Sequence, residues 1–152
     1  MATFITSDWH FDHNNICGKD GFVPTRNHFE SVEEMNEEII KQINSVATKE
    51  DVLYHLGDIG LGKPKRLFEL LERINPRIVL IAGNHDSFSK TMKYIAKNNY
   101  VVDKNGNMRY TIYEVGTHHK QNGKVYLLSH YPLGLGDQTI NLRNFCGHIH
   151  EN

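Results

Sequence analysis

Aspartate, histidine and asparagine recur through this sequence in short groups, each placed directly after an apolar run. Asp8-x-His10 comes first, then Gly57-Asp58, Gly83-Asn84-His85-Asp86, His130, and finally Gly147-His148-Ile149-His150. Carboxylate, imidazole and amide donors in this mixture suit Mn²⁺, Fe, Zn²⁺ or Ni²⁺ better than Ca²⁺. Ten histidines among 152 residues point the same way. Residues two apart on extended chain face one side, which suits Asp8 with His10 and His148 with His150 as neighbouring ligands. No single fragment is persuasive alone. Five of them in series, each behind an apolar run, are specific.

The elements that must position these groups can be read from periodicity. Thr3-Phe4-Ile5-Thr6 reads as a strand, followed by a polar, His-rich loop to about residue 30. Ser31 with Glu34 forms a capping-box pattern, and Val32, Met35, Ile39, Ile43 and Val46 fall on one helical face. Val52 to Leu56 is a second strand. Pro64 starts a helix with Leu67, Phe68, Leu70, Leu71 and Ile74 as its stripe. Ile78 to Ala82 is continuously apolar, as a strand covered on both faces should be. A helix from Phe88 to Asn98 follows it. Strands are then expected at Met108 to Val115, Val125 to Ser129 and Leu142 to Cys146, with Asn122-Gly123 as a turn. The order is α/β with a mixed sheet or two packed sheets. Ligands of open α/β sheets gather at the carboxyl ends of strands, where every group named above falls.

Composition bounds the rest. The length suits one domain spanning 1–152, and no internal repeat or linker divides it. A net charge of −1 argues against a bulk electrostatic grip on nucleic acid or anionic membrane and leaves room for a local basic patch. Nucleic acid is expected only as a substrate. No apolar run approaches the ~20 residues of a membrane span, and the opening residues do not read as a signal peptide. Cys17 and Cys146 set no disulfide framework, and a reducing cytoplasm is expected.

Taken together, the five groups resemble the motifs of the calcineurin-like metallophosphoesterase family, in family order from residue 8 to residue 150. The run Asp8-Trp9-His10-Phe11-Asp12-His13-Asn14-Asn15-Ile16 is similar to that of small bacterial and phage members. The resemblance implies a four-layer α/β/β/α sandwich with mixed sheets and two divalent metal ions, Mn²⁺ favoured. Carried over, one ion is held by Asp8, His10, Asp58 and His150, the other by Asp58, Asn84, His130 and His148. Asp58 bridges them, His85 stands at the leaving group, and Asp86 orients His85. Two divalent ions against Asp8, Asp58 and a bridging hydroxide leave a site of about +1, and coordination lowers the pKa of water toward ~7. The implied reaction is attack of that hydroxide on a phosphate ester, with His85 as general acid.

Two features depart from the family pattern. Trp9 replaces a smaller residue between Asp8 and His10, where it would fill space beside the sheet. The sequence also stops two residues after His150, so a short or truncated member lacking C-terminal strands is expected. An open edge at Leu142 to Cys146 would then be covered by a homodimer or a loop.

Each remaining group has a plainer explanation to weigh. His13 is a surface-loop residue or a contact to substrate or ligands. His55 is expected to pack within its strand, and His28, His118 and His119 to be solvated on loops. Cys146 reads as a small buried hydrophobe, and Glu33, Glu34, Glu37 and Glu38 as a solvated helix face. Lys63, Lys65 and Arg66 either steer phosphate or simply start a helix.

About 25 residues separate Asp58 from Asn84 and 17 separate His130 from His148, so no cap domain fits. Loops near 11–30, 104–122 and 131–140 are left to shape an open cleft, which favours nucleotide-derived phosphodiesters over monoesters. A phosphomonoesterase on the same centre and a non-catalytic binding scaffold of this fold are the alternatives. The Asp8-x-His10-x-Asp12-His13 run superficially matches a metallo-β-lactamase-type signature, but its first His is missing and Gly83-Asn84-His85-Asp86 has no place there.

Overall fold

The computed structural model describes residues 1–98, 106–136 and 141–149. Strand β1 (Thr3–Thr6) leads into a long loop with a single 3-10 turn at Pro24–Arg26. Then follow α1 (Val32–Val46), β2 (Val52–His55), α2 (Pro64–Leu71), β3 (Arg77–Ile81), α3 (Phe88–Asn98) and β4 (Tyr110–Tyr113). Strands β5 (Gly116–Gln121), β6 (Lys124–Ser129) and β7 (Leu142–Cys146) complete the described chain.

Strands β1 to β4 form one sheet in sequential order, all parallel. Right-handed crossovers in one direction put all three helices on the same face. Their apolar stripes, Ile40 from α1, Leu67 and Phe68 from α2 and Ile95 from α3, share a core with Leu53, Ile78 and Leu80. Burying Leu67, Phe68, Leu70 and Leu71 is worth ~1.5–3 kcal/mol for each side chain, enough to hold so short a helix on the sheet. The opposite residues of the strands, Tyr54, Leu56 and Ile81, meet Leu128 and Tyr126 of the second sheet. That second sheet runs β5-β6-β7, antiparallel then parallel. The described residues thus form helix, sheet and sheet layers of the expected sandwich. The implied fourth layer, over the outer face of β5-β6-β7, receives no helix from them.

At α1 the cap differs in one detail from the sequence pattern. Ser31 Oγ accepts from the Glu34 amide at 3.1 Å, but the Glu34 carboxylate reaches the amide of Glu30 at 2.7 Å, one residue further back. Val46 is 65% exposed, because the fifteen-residue helix outruns the four-residue strands beneath it. Asn36, not counted in the apolar stripe, is instead buried there.

Residues 116–121 fall within the 104–122 stretch that the sequence assigns to a site-shaping loop, and they form a strand instead. Expected Met108 to Val115 shortens to β4, and the chain then crosses to the other sheet as β5, which carries His118 and His119. Gly-Thr-His-His-Lys-Gln has little strand propensity of its own. It pairs along its whole length with β6 through the Asn122-Gly123 turn, where both φ angles are positive (51° and 73°) as a type I′ hairpin needs. His118 faces solvent, while half-buried His119 packs on Tyr54 with ring centroids 5.8 Å apart.

Candidate metal centre

All the motif groups within the described residues come to the carboxyl ends of their strands, as the sheet topology requires. Asp8 and His10 follow β1, Asp58 follows β2, Asn84 and His85 follow β3, His130 follows β6 and His148 follows β7. His150 lies outside the described residues. The loop after β1 runs alongside the loop after β2: the amides of Asp8, His10 and Phe11 donate to the carbonyls of Gly57, Asp58 and Ile59 at 2.9–3.0 Å. Asp8, His10, Asp12, Asp58 and His148 all adopt left-handed backbone, with φ between 52° and 70°. Such strain at non-glycine residues persists only where surrounding structure enforces it, and it concentrates at functional sites.

Three glycines make room for the cluster, each for a side chain from another motif. A Cβ on Gly57 would stand 2.4 Å from His130 Nδ1, on Gly83 2.2 Å from Asp58 Oδ1, and on Gly147 2.6 Å from Asp8 Oδ2. Of these three only Gly57 also needs a positive φ, at 98°. Space rather than sharp turning is therefore the main demand on Gly83 and Gly147.

Asp58 is the hub. Its Oδ1 accepts the His85 amide at 2.9 Å, which leaves Oδ2 facing three imidazoles. The Nε2 atoms of His130, His10 and His85 lie 3.6, 3.8 and 4.0 Å from that oxygen. These separations are too long for hydrogen bonds. Two atoms each ~2.1 Å from one cation, however, lie ~3.0–4.2 Å apart, depending on their angle at the ion. Two donor triads share Asp58: His10 and His85 on one side, His130 and His148 on the other. Asp8 stands beside the first, 4.0 Å from His10 Nε2, and its carboxylate accepts the His148 amide at 3.1–3.2 Å. Asn84 Oδ1 stands beside the second, 2.9 Å from His130 Nε2 and 3.1 Å from His148 Nδ1.

His130 shows why a cation fits here. Its Nδ1 lies 2.9 Å from the Leu56 carbonyl, which can only accept, so Nδ1 carries the proton. In the neutral ring Nε2 then turns a lone pair toward the oxygens of Asn84 and Asp58. A positive charge between them resolves that opposition, and a carbonyl behind the ring is the usual way to orient a ligating histidine.

Asp86 corrects the sequence expectation. Its Oδ2 accepts the amides of Asp58 and Gly83 at 2.7 and 2.9 Å, and Oδ1 accepts that of Ile59 at 3.0 Å. Both oxygens are thereby committed to backbone, so Asp86 ties the β2 and β3 loops together and does not orient the His85 ring. Burial pushes its carboxyl above the ordinary value despite those bonds. His85 is open to solvent, as His148 is, its side chain 41% exposed where those of Asp58 and His130 are 2% and 1%.

Several supporting residues were not legible beforehand. Arg26 donates to the carbonyls of Asp8 and Trp9, clamping the β1 loop from the 3-10 turn. Asp12 bridges that loop to two helices, accepting from Asn36 at 2.7 Å and from Arg66 at 2.9 Å. A buried amide in the apolar face of α1 was the available signal for Asn36. Arg66 is thus engaged, while Lys63 and Lys65 are exposed at the helix start. His13 belongs beside the cluster: its Nδ1 is 3.2 Å from His10 Nδ1 and its ring 5.7 Å from that of His85. Burial, then the His85 charge, lowers its pKa. Trp9 fills space as expected, buried against Phe11 and His55. His55 is fully buried, whereas Cys146 is only half-buried. Exposed His28 lies tilted against Phe29 with centroids 4.0 Å apart.

The profile of the calcineurin-like phosphoesterase family matches residues 1–152. An uncharacterised protein of Methanocaldococcus jannaschii is 41% identical over 102 residues, which is 64% of this chain and 53% of that protein. The gene 66 protein of Mycobacterium phage L5 is 36% identical over 87 residues, 55% of this chain and 39% of that one. The matched stretches thus span about half or less of these relatives' length. A solved structure of a protein of unknown function from Aquifex aeolicus superposes with a TM-score of 0.62 at 27% identity. It covers 87% of this chain and 62% of its own.

Proposed function

As the chain belongs to the calcineurin-like phosphoesterase family, we propose that it hydrolyses phosphodiesters at a two-metal centre built on Asp58. The observation that carries this is that Asp58 Oδ2 stands between His10 Nε2 at 3.8 Å and His130 Nε2 at 3.6 Å, with Asp8 beside the first and Asn84 and His148 beside the second. Asp8, His10 and Asp58, joined by His150, would hold one ion, and Asp58, Asn84, His130 and His148 the other. Held by these residues, two divalent cations would supply the Lewis acidity that lowers the pKa of water and offsets phosphoryl charge.

The chain's own groups do the rest. Asp58 Oδ1 is fixed by the His85 amide, so its other oxygen keeps one orientation between the two triads. His85, exposed and outside both ligand sets, gives a proton to the departing oxygen. Among the described residues, Arg26 beside Asp8 donates to the main-chain carbonyls of Asp8 and Trp9 and is not held for the second charge of a monoester, which supports the diester reading. Mn²⁺ is the favoured ion, with Fe, Zn²⁺ and Ni²⁺ suiting the same donors. Among the described residues no helix is long and apolar enough to cross a membrane, and both cysteines are free thiols, in keeping with a cytoplasmic setting. Strand β7 pairs only with β6 among the described residues, and a second copy of the chain is proposed to cover that edge.

The deciding experiment compares bis(p-nitrophenyl) phosphate with p-nitrophenyl phosphate under Mn²⁺, alongside bound-metal stoichiometry. Two ions per chain and a higher kcat/KM on the diester are expected. A tenfold or greater preference for the monoester would reassign the centre to phosphomonoesters. Metal binding without turnover of either ester would leave a binding scaffold.

A further inference from the structure

The histidine cluster is flanked on both sides by an exposed aromatic ring. On one side Phe22, 58% exposed, packs against His13 with ring centroids 5.2 Å apart, and His13 in turn meets His10 and His85 at 5.2 and 5.7 Å. On the other side Tyr131, 50% exposed, contacts His130 and His148 with centroids 4.9 and 4.8 Å apart. Single exposed apolar residues are ordinary on a protein surface. Two aromatic rings at opposite ends of one cluster, Tyr131 touching its imidazoles and Phe22 reaching it through His13, are a different observation. The other exposed aromatics among the described residues are placed otherwise: Phe145 stacks on Tyr126, and Tyr113 ends β4.

Both rings stand on braced loops. The Phe22 amide donates to Asn15 O at 3.1 Å. With its side-chain amide in the satisfied orientation, Asn27 donates to the carbonyls of Gly18, Gly21 and Val23 at 3.0–3.1 Å. Tyr131 O accepts from Ser129 Oγ at 2.7 Å, and Asn144 Nδ2 holds that hydroxyl at 2.9 Å. Asn144 Oδ1 also accepts the Leu133 amide at 2.8 Å, fixing the chain just beyond the ring. The backbone that carries each ring is already fixed, which lowers the ordering cost of stacking.

We infer that Phe22 and Tyr131 are stacking platforms for the two nucleobases on either side of the scissile phosphodiester. The substrate is then a dinucleotide or a single-stranded oligonucleotide, and this rests on the phosphodiesterase reading above. Phe22 lies on the side of His85, so it receives the base of the leaving group. Tyr131 receives the base of the nucleotide that keeps the phosphate. Stacking is indifferent to sequence, since every base offers a π-face. It also supplies binding without a basic surface, which matches a chain of net charge −1.

The test is equilibrium binding, read by fluorescence anisotropy. A labelled phosphorothioate oligothymidylate is compared with an abasic oligomer of equal phosphate count, in Mn²⁺ and again in EDTA. Wild-type protein should prefer the base-bearing strand by about tenfold or more, given typical base–aromatic stacking. Phe22→Ala and Tyr131→Ala should each lose most of that preference, and Phe22→Trp and Tyr131→Trp should keep it. Equal affinity for the two strands, or a preference unchanged in both alanine variants, overturns the inference. Base-selective binding with no cleavage of an unmodified oligothymidylate would uphold the platforms and reject the phosphodiesterase reading instead.

Discussion

Asp58 and His85 share a loop-to-loop hydrogen bond but have separable tasks, and substitution should distinguish them. Asp58→Asn weakens the one carboxylate that both donor triads use, so both metals should be lost on dialysis and turnover with them. Chelation of the wild type should give the same result, reversed by Mn²⁺. Retained activity with a single ion per chain would sink the shared-carboxylate arrangement. His85→Ala should keep its metals and lose roughly 10²–10⁴ in rate, the range of general acid catalysis. That loss should shrink for nitrophenolate, which leaves without a proton; an equal loss for poor and good leaving groups would assign His85 to phosphate positioning. The ligand candidates were legible as residue types because metal chemistry restricts donors to a few side chains. Asp86 meets the amides of Asp58, Ile59 and Gly83 instead of the His85 ring, since adjacency in sequence says nothing about which backbone amides a carboxylate will meet.

At the scale of elements, the β2 and β3 loops are tied through Asp86, whose carboxylate accepts amides from Asp58, Ile59 and Gly83. Asp86→Asn replaces one acceptor oxygen by a donor, leaving a buried amide opposed. Metal affinity should fall about 10–100-fold, as for other supports of ligating residues. Calorimetric metal titration of a still-folded variant checks this, and unchanged affinity would reduce Asp86 to a fold contact. The main helices and first-sheet strands followed from periodicity, because a stripe of apolar residues must face a sheet wherever the sheet lies. Strand β5 did not, because its pairing with β6 outweighs the weak strand preference of Gly116 to Gln121. Arg26 was equally illegible: its partners are main-chain carbonyls after β1, and a carbonyl leaves no mark in sequence.

For the molecule as a whole, acid stability turns in part on His55. It is fully buried on β2 against Trp9, neither ring nitrogen has a hydrogen-bond partner among the described residues, and burial, helped by His10 and His130, lowers its pKa to about 3. The unfolded chain takes up a proton near pH 6.5, whereas the folded chain does so only near pH 3. The stability tied to neutral His55 is therefore complete above pH 6.5 and declines by about 1.4 kcal/mol per pH unit as pH falls through that window. His55→Leu should keep or raise stability at pH 7 and flatten the acid slope relative to wild type. Urea unfolding between pH 7 and pH 4 measures the difference, and parallel slopes would exclude His55 as the cause. Sequence by itself determined the donor types, their order, and their position after apolar strands, because side-chain chemistry and periodicity are local properties. Tertiary structure alone decided that Gly57, Gly83 and Gly147 each clear space for a ligand from another motif, that three imidazoles meet at one Asp58 oxygen, and that Phe22 and Tyr131 flank them. Those are distances between residues far apart in the chain, and only packing the two sheets face to face fixes them.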